Sequence, residues 1–380
     1  MSMELSVPVW VNKEEDFRHM AAVLLQVPAF ALDTESNSLY VYREQVCLIQ
    51  ISIPGVDYLV DPLALKDLSA LHAPLANPSI EKVFHAAEYD IICMKRDFGF
   101  SFANIFDTML AAEILGWPDL GLGSILNQTF QVTLNKRYQR ADWGQRPLPW
   151  DQLDYARLDS HYLLPLRDLM AEELKTNQRW ELAQEDFQRL CRVEAGSNGN
   201  TQAEDCWKVA GNNHFTSRQM AILQALCQYR QEQAKTSNRP LFKVINNNTL
   251  VDIVKTLPEN LSQLGQIQGM SKGQVARHGE GLLKALERGS QAAPLTRPRN
   301  HKPDESVTNR YEILRIWRKA CAQKWNVDSN VILPKEIMAK IADKNPENHA
   351  DLAGLMSETP WRLEHFGGEI LKILKGREEA

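Results

Sequence analysis

Acidic side chains occur at two places in the N-terminal third of the chain where their spacing could create a cation site. Asp33 and Glu35 directly follow the apolar run 28–32, which predicts a strand. Side chains two residues apart in a strand point to the same face, so both carboxylates can bind one cation. Asp90 follows a second apolar run, which ends at His85, and is expected one turn into a helix. Taken singly, Asp33 and Glu35 are more often two polar residues that close a strand, and Asp90 is more often a solvated acid or one that favours a helix start.

A tyrosine and a further acid lie together on a predicted helix. The periodicity of residues 150–175 predicts an amphipathic helix that contains Tyr155 and Asp159. Because they are four residues apart, the phenolic hydroxyl and the carboxylate lie on one face of that helix. The alternative is a half-buried tyrosine beside a surface acid. Carboxylate oxygens are ligands that Mg²⁺ and Mn²⁺ prefer, so a fold that gathers these acids would form a site for such cations.

The elements that would position these residues belong to an α/β domain that extends to about residue 194. Its first half contains short apolar runs separated by turn residues, which is typical of strands. Helical periodicity follows. We expect strands at 28–36, 45–53, 56–62 and 82–86, and helices at about 87–98, 107–115, 122–130 and 150–175. The domain should therefore begin with a meander of strands.

The remainder of the chain is predicted to form two all-helical pieces. The polar stretch 195–205 and the proline-rich stretch 290–303 are predicted linkers. The two pieces look like an internal repeat, because the pattern L-x-x-x-R-x-x-x-A recurs after 88 residues. Two unrelated small bundles could share such spacing by chance. The matched residues are Leu226, Arg230 and Ala234 in the first piece and Leu314, Arg318 and Ala322 in the second.

Length and composition limit the classes of protein that the sequence can encode. A chain of 380 residues should form more than one domain, because single cores stop growing near about 250 residues. No stretch approaches the roughly 18 uncharged apolar residues of a membrane span, and the first residues lack an export pattern. We therefore expect a cytoplasmic protein. The six cysteines form no C-x-x-C pair, so we expect reduced thiols rather than disulfides or a zinc site.

The formal net charge of −5 gives no support to nucleic-acid binding, which normally depends on lysine and arginine. Divalent cations held by the acids would change this locally, since they bring positive charge to a phosphate. Arg297, Arg299 and Lys302 in the second linker could contact RNA, and a solvated linker is the alternative. Any nucleic-acid function therefore depends on the site and not on the global charge.

The ordered set of four acids and one tyrosine resembles the exonuclease superfamily named DEDD after its four acids. It matches the subclass that has a tyrosine four residues before the last acid. The members of the set are Asp33, Glu35, Asp90, Tyr155 and Asp159. Residues 107–115 and 142–148 also look like ribonuclease D, and the layout of three pieces resembles ribonuclease D with two HRDC domains. The resemblance covers nearly the whole chain.

The resemblance implies a fold and a domain order. The expected fold is an α/β ribonuclease H-like exonuclease domain followed by two all-α HRDC helical bundles. We expect the exonuclease domain over residues 1–195, the first HRDC domain over 210–290 and a second, divergent HRDC domain over 304–378. The second copy lacks the Asn-x-Pro turn that the first has at Asn238 and Pro240. The bundles are expected to grip the body of an RNA while the exonuclease domain takes its 3′ end.

The resemblance also implies a chemistry, which is hydrolysis of RNA from the 3′ end with release of nucleoside 5′-monophosphates. Two divalent ions, Mg²⁺ or Mn²⁺, about 4 Å apart can supply a nucleophile and stabilise charge on the attacking and leaving oxygens. By resemblance, Asp33 binds both ions, Glu35 and Asp159 complete the first, and Asp90 serves the second. An unperturbed tyrosine titrates near about pH 10, so Tyr155 should orient the attacking water and not act as a free base.

The expected substrate is RNA with a free 3′ end, in particular transfer RNA precursors and other structured RNA. Substrate contacts are predicted for His85, Trp143 and Arg146, with structural or packing roles as the alternatives. Asp107 is expected to cap a helix. Two other functions stay open. One is a DNA exonuclease with the same site, since the acids do not read the sugar. The other is a nucleic-acid adaptor, which should have lost acids that this chain retains.

Overall fold

The computed structural model describes residues 6–195, 204–296 and 304–376, which form two compact units. The first unit contains residues 6–36, 46–195 and 304–376. The second unit contains residues 37–45 and 204–296. Most of both predicted linkers, with Arg297, Arg299 and Lys302, lies outside the described residues.

The first unit begins with an α/β domain. Its strands are β1 (Val9–Val11), β2 (Ala29–Ser36), β3 (Val46–Ile53), β4 (Val56–Val60), β5 (Glu81–Phe84) and β6 (Ile105–Asp107). Its helices are α1 (Glu14–Leu24), α2 (His72–Ala76), α3 (Glu88–Phe98), α4 (Thr108–Leu115), α5 (Leu122–Phe130), α6 (Trp150–His161), α7 (Leu163–Thr176) and α8 (Trp180–Cys191). Two short 3₁₀ helices, Ser69–Leu71 and Lys136–Tyr138, lie in the connections.

Two helical bundles follow. The first, in the second unit, contains α9 (Cys206–Ala210), α10 (Ser217–Ser237), α11 (Leu241–Val244), α12 (Asn247–Thr256), α13 (Leu261–Leu264) and α14 (Lys272–Gln291). The second, in the first unit, contains α15 (Glu305–Trp325), α16 (Ser329–Ile332), α17 (Lys335–Lys344), α18 (His349–Leu355) and α19 (Pro360–Lys375). Within the described residues, no helix combines the length and the apolar composition needed to cross a membrane.

The strands form one mixed sheet in the order β1-β4-β3-β2-β5-β6. Strands β2, β3 and β4 are antiparallel neighbours, which confirms the predicted meander, and β5 and β6 extend the sheet in parallel from β2. β3 is buried along nearly its whole length, as its almost continuous apolar sequence predicts for a strand that is covered on both faces. The strand that carries Asp33 and Glu35 therefore lies in the middle of the sheet, between β3 and β5.

The predicted strands and helices of this domain are confirmed, with one correction. The single helix expected over 150–175 is wrong, because α6 ends at His161 and α7 begins at Leu163. Pro165 in the first turn of α7 explains the break, since proline cannot donate to the carbonyl four residues earlier and its ring crowds that carbonyl. Helices α1, α2 and α8 and strands β1 and β6 are additional elements that were not predicted, and the two strands are too short for periodicity to indicate.

The internal repeat is confirmed by equivalent hydrogen bonds in the two bundles. Arg230 Nη1 donates to the Ile245 carbonyl at 2.6 Å, and Arg318 Nη1 donates to the Leu333 carbonyl at 2.8 Å. Both members of the second pair lie 88 residues after their counterparts. The long helices α10 and α15 also end alike, each in an asparagine with left-handed backbone geometry. These residues are Asn238 in the first bundle and Asn326 in the second. The second bundle thus keeps this turn without the proline.

Residues 37–45, which connect β2 to β3, pack with the first bundle. Tyr42 is buried within the apolar core of α9–α14, and its backbone N–H donates to Asn238 Oδ1 at 3.2 Å. Lys243 Nζ lies 4.0 Å from the ring centroid of Tyr40. The loop that follows Ser36 is therefore part of the helical unit and not of the sheet.

A buried cluster of charges joins the second bundle to α8 within the first unit. Arg362, in the first turn of α19, is fully buried, and its guanidinium binds Glu185 and also Asp186, at 2.7 Å. Glu185 accepts the backbone N–H of Trp361 at 2.7 Å as well. A buried arginine is tolerated here because its charge is paired and hydrogen-bonded on several sides.

Replacing Arg362 with methionine should strongly destabilise the first unit. Arg362→Met leaves Glu185 and Asp186 without their cation, and removal of one partner from a buried ion pair costs about 3–5 kcal/mol. The free energy of unfolding in urea measures the loss. Arg315→Met is the matched control, because Arg315 and its partner Glu312 are both about half exposed and such a pair contributes under about 1 kcal/mol. Equal losses for the two variants would contradict this account.

Candidate active site

Asp33 and Glu35 project from one face of β2, as the alternation of a strand predicts. In the ladder with β3, Asp33 lies opposite Gln50 and Glu35 lies opposite Leu48. Directly opposite residues of antiparallel strands share a face. Leu48 packs in one apolar cluster with Tyr155 of α6. The two acids therefore lie on the face of the sheet that α6 covers.

A chain of polar contacts fixes the last turn of α6 on that face. The Ser52 hydroxyl of β3 lies 2.8 Å from the Ser160 hydroxyl and donates to Asp57 at 2.7 Å. Asp57 in turn lies 2.8 Å from His161 Nδ1. Ser160 and His161 directly follow Asp159, so these contacts set where the Asp159 carboxylate lies. These polar contacts were not predicted from the sequence, because the residues that form them are far apart in the chain and belong to no spacing pattern.

The fold brings Asp159 to the two acids of β2. One carboxylate oxygen from each of Asp33, Glu35 and Asp159 can be chosen so that all three lie within 4.8 Å of one another. Tyr155 lies one turn before Asp159 in α6 and is largely buried. Its ring packs at centroid distances of 5.8 Å from Tyr138 and 6.3 Å from Trp143. The predicted helical pair is thus part of the same site as the predicted strand pair.

Asp90 enters from α3, and the start of that helix is held by a buried carboxylate. Asp107 accepts the backbone N–H groups of Ala86 and Ala87, at 3.1 and 2.7 Å, besides those of two residues in the first turn of α4. The predicted helix cap at Asp107 is therefore confirmed. Ala86 has a φ of 61°, which costs energy for a residue with a Cβ. The two hydrogen bonds from Ala86 and Ala87 help to hold this turn, and Asp90 then accepts the Thr34 hydroxyl.

Burial raises the pKa values of all four acids, and the charge of at least one neighbouring carboxylate, which is Asp107 in the case of Asp90, raises each of them further. Burial is the largest cause for each of them. The pKa of Asp33 rises well above its ordinary value through burial and then through the charges of Asp90, Asp159 and Glu35. The pKa of Glu35 also rises well above its ordinary value, through burial and then through the charges of Asp159 and Asp90. Burial raises the pKa of Asp90 to about 7, although the Thr34 hydrogen bond opposes this. Burial and the charge of Asp90 raise the pKa of Asp159 to about 7.

This donor set fits hard divalent cations. Around an octahedral Mg²⁺ with bonds of about 2.1 Å, neighbouring oxygens lie about 3 Å apart and opposite oxygens about 4 Å apart. One oxygen from each of the three clustered carboxylates lies within 4.8 Å of the other two, which is close to that range. No histidine or cysteine is among them, which favours oxygen-seeking cations over zinc. The Gln50 amide, opposite Asp33, is fully buried, and neither of its polar atoms has a hydrogen-bond partner among the described residues. A site that binds hydrated cations offers such an amide a partner.

A cavity of about 320 Å³ opens over these acids. Asp33, Tyr155 and Asp159 line it, and so does His85. The opposite wall comes from the start of α5 and from the connection before α6, with Gly121, Leu122, Gly123, Ser124, Leu134, Asn135 and Gln139. These wall residues were not predicted from the sequence, because irregular connections have no hydrophobic periodicity. The cavity lies within the size range of about 300–1,000 Å³ that is usual for small-ligand pockets.

His85 lines the cavity but is also held by the protein. Its Nδ1 lies 2.9 Å from the Thr108 hydroxyl, which itself donates to the Phe84 carbonyl at 3.0 Å. Burial lowers the pKa of His85, against the charge of Asp107 and a hydrogen bond with the Leu120 backbone. The predicted substrate contact and the structural role are therefore both compatible with its position, and the contact stays a prediction.

Trp143 and Arg146, the other two predicted substrate contacts, lie away from the cavity lining. Trp143 is 1% exposed and packs with Leu48 and Tyr155, so no base can reach its ring in this conformation. The Arg146 guanidinium binds both carboxylate oxygens of Asp61, at 2.6 and 2.8 Å, and donates to backbone carbonyls as well. For these two residues the structure favours the packing alternative, in which they fix the connection before α6 on the sheet.

Comparisons with known families agree with this arrangement of domains. Residues 8–175 match the family model described as a 3′–5′ exonuclease. Residues 219–286 and 307–374 each match the HRDC domain. The first match spans the sheet and the four acids, and the other two span the repeated bundles. The chain therefore contains an exonuclease domain of the ribonuclease H-like α/β type followed by two HRDC domains.

The curated relatives fall into two groups. "Ribonuclease D" of Gluconacetobacter diazotrophicus is 27% identical over 97% of this chain and 93% of its own length. "Protein RRP6-like 1" of Arabidopsis thaliana is 32% identical over 76% of this chain but only 47% of its own length. The chain spans less than half the length of the three plant RRP6-like proteins that it matches. The similarity to the bacterial protein includes both the exonuclease and the helical domains.

A solved structure has the same fold over the whole chain. The structure of Escherichia coli RNase D, described as an exoribonuclease involved in structured RNA processing, superposes with a TM-score of 0.68. The alignment covers 97% of this chain and 99% of that one at 23% sequence identity. At that identity, the likeness is evidence for the fold.

Divalent cations should stabilise the protein more at alkaline than at acidic pH. The folded-state pKa values of the four acids are raised, so without metal the stability that they contribute is fully present below about pH 4 and is lost as the pH rises through about 7. Metal binding needs the deprotonated acids. We expect Mn²⁺ to raise the Tm, relative to EDTA, more at about pH 8 than at about pH 5.5. Thermal unfolding measures this, Asp33→Asn should abolish the shift, and equal shifts at both pH values would contradict it.

Proposed function

Because the chain belongs to the ribonuclease D family of 3′–5′ exonucleases, we propose that it hydrolyses RNA from the 3′ end and releases nucleoside 5′-monophosphates. The observation that carries the proposal is the convergence of Asp33, Glu35 and Asp159 within 4.8 Å, beneath a cavity that Tyr155 also lines. The proposed substrates are transfer RNA precursors and other structured RNA, and the proposed place of action is the cytoplasm.

In this proposal the four acids hold two divalent ions, Mg²⁺ or Mn²⁺. Asp33 would bind both ions, Glu35 and Asp159 would bind the first, and Asp90 would bind the second, partly through water. When bound, such ions supply a nucleophile at neutral pH and offset negative charge on the scissile phosphate. The position of Asp90 supports this division, because it lies outside the tight cluster of the other three acids and is held by Thr34.

Tyr155 is proposed to orient the attacking water. Burial, followed by the charges of Asp159, Glu35 and Asp33, raises the pKa of Tyr155 far above its ordinary value. The phenol therefore keeps its proton at neutral pH and cannot serve as a free base. Its hydroxyl can still donate one hydrogen bond and accept another, which suits the placement of a water beside the last phosphodiester. The packing of its ring against Tyr138 and Trp143 limits its rotation.

The DNA exonuclease and the adaptor are retained as alternatives that experiment can separate. The carboxylates act on the phosphate, which RNA and DNA share, whereas discrimination depends on contacts to the 2′-hydroxyl. Polar groups of the cavity lining that could make such a contact are His85 and the wall residues Ser124, Asn135 and Gln139. An adaptor without activity has no need for four clustered acids that are buried or partly buried, which are costly to keep without cations.

The experiment is the degradation of 3′- and 5′-labelled single-stranded RNA and of matched DNA in Mg²⁺, Mn²⁺ or EDTA. We expect stepwise shortening of RNA from its 3′ end that needs metal and is abolished in Asp33→Asn. Tyr155→Phe should lower kcat about 100- to 1,000-fold, the range seen when one preorganised hydrogen-bond donor is removed. Asp151→Asn, at an exposed acid in the first turn of α6, is the matched control and should retain activity.

Two outcomes would replace the proposal. Preferential loss of DNA would assign the site to a DNA exonuclease. Tight RNA binding without cleavage in either metal would favour the adaptor. Retention of activity in Asp33→Asn would show that the carboxylate cluster is not the catalytic site.

A further inference from the structure

The second HRDC bundle shares apolar core with the exonuclease domain. Val331 of α16 is buried in the same cluster as Ala112 of α4 and Phe187 of α8. Leu120 and Leu122, on either side of the start of α5, pack against that cluster too. A bundle that only gripped RNA would not need to complete the core of the exonuclease domain.

An arginine ties the ends of two helices together at this junction. Arg179, just before α8, donates from Nη1 to the Ile114 carbonyl at 2.6 Å and from Nη2 to the Trp325 carbonyl at 2.8 Å. Ile114 lies in the last turn of α4, and Trp325 is the last residue of α15. The last carbonyls of a helix have no partner within the helix and carry partial negative charge. One guanidinium therefore donates to one terminal carbonyl of each helix and holds the bundle against α4.

The backbones of the two domains approach each other closely at the same place. Gly116, which ends α4, has a φ of 77°. A Cβ built on Gly116 would lie 2.2 Å from the Asn326 carbonyl oxygen, so only glycine fits. Asn326 is the left-handed asparagine that ends α15. The asparagine turn of the second bundle thus lies directly against the end of α4.

The end of α4 leads into a wall of the active-site cavity. Five residues after Gly116 the chain reaches Gly121, and Gly121–Ser124 line the cavity opposite Asp33 and Asp159. This connection contains no strand or long helix that could support it alone. The second bundle contributes to two of its supports, which are the apolar cluster and the asparagine turn. Within the exonuclease domain, Trp117 also donates to Glu173 at 3.2 Å, and Asp119 accepts the Gln128 amide at 2.8 Å.

We infer that the second HRDC bundle is a positioning element of the exonuclease site, because it holds the connection between α4 and α5 that forms one wall of the cavity. Arg179 is the positioning residue through which it acts. The inference rests on the proposed function, since the wall matters only if the 3′-terminal nucleotide enters this cavity. It differs from the gripping role expected for the bundles, because it concerns the reaction itself and not the body of the RNA.

The test compares turnover of a short, unstructured oligoribonucleotide with binding of a structured RNA. In Arg179→Met, kcat on the short substrate should fall about ten- to a hundredfold, the loss that a displacement of about 1 Å can cause. The Kd for structured RNA should stay within about twofold, an expectation that follows from the placement of the change inside the junction. Arg192→Met, at the exposed arginine that ends α8, should leave both unchanged. Arg179→Lys keeps a donor and a charge there and should restore part of kcat.

Hydrogen exchange gives a readout that does not depend on activity. Arg179→Met should speed amide exchange of residues 116–124 in the folded protein, and Arg192→Met should not. Unchanged exchange in that segment, or unchanged kcat on the short substrate together with a raised Kd for structured RNA, would overturn the inference. If the wild-type protein degrades no RNA, the proposed function fails, and the exchange measurement alone then decides whether the bundle holds the wall.

Discussion

Repulsion among the buried or partly buried carboxylates of Asp33, Glu35, Asp90 and Asp159 is the interaction that the rest of the exonuclease domain must oppose. The charged form of each acid would be more stable in water or farther from the other acids, and the raised pKa values reflect this. The strain is distributed over three elements, because β2, α3 and α6 bring the acids from different parts of the chain. Each element is therefore anchored close to the acid that it carries.

Two further aspartates show how the same chemical group serves the opposite purpose. Asp107 accepts four backbone N–H groups and so fixes the starts of both α3 and α4. Asp57 accepts Ser52 and contacts His161, and thereby holds the end of α6. A buried carboxylate that is surrounded by donors is a structural anchor. A carboxylate whose charged neighbours include other carboxylates is instead a candidate ligand for a cation, and this contrast separates the site from its supports.

The sequence was sufficient for strands β2 to β5, for helices α3, α4 and α5 and for the acids of the site, because the strands and helices depend on local periodicity. The break between α6 and α7 was missed, since a single Pro165 decides it against an otherwise continuous pattern. The anchoring set of Ser52, Asp57 and His161 was missed as well, since its members are brought together only by the sheet. Trp143 and Arg146 were predicted from residue type alone, and type does not distinguish an aromatic ring or guanidinium that faces a cavity from one that is fully occupied by the core. Local pattern thus predicts elements and ligand types, whereas burial and long-range partners have to be observed.

The two asparagine turns have a shared consequence for how the chain was assembled. The Asn238 side chain accepts a hydrogen bond from the backbone N–H of Tyr42, in the segment that follows β2. Asn326 lies against Gly116, at the end of α4. A duplicated helical domain has therefore used one helix end twice to hold segments that flank the catalytic acids. Positions around that end have diverged, with Gln231 corresponding to Lys319 and Lys243 to Val331, because each copy faces a different stretch of chain. Duplication of a helical domain can thus place the same helix end against two different segments of one chain.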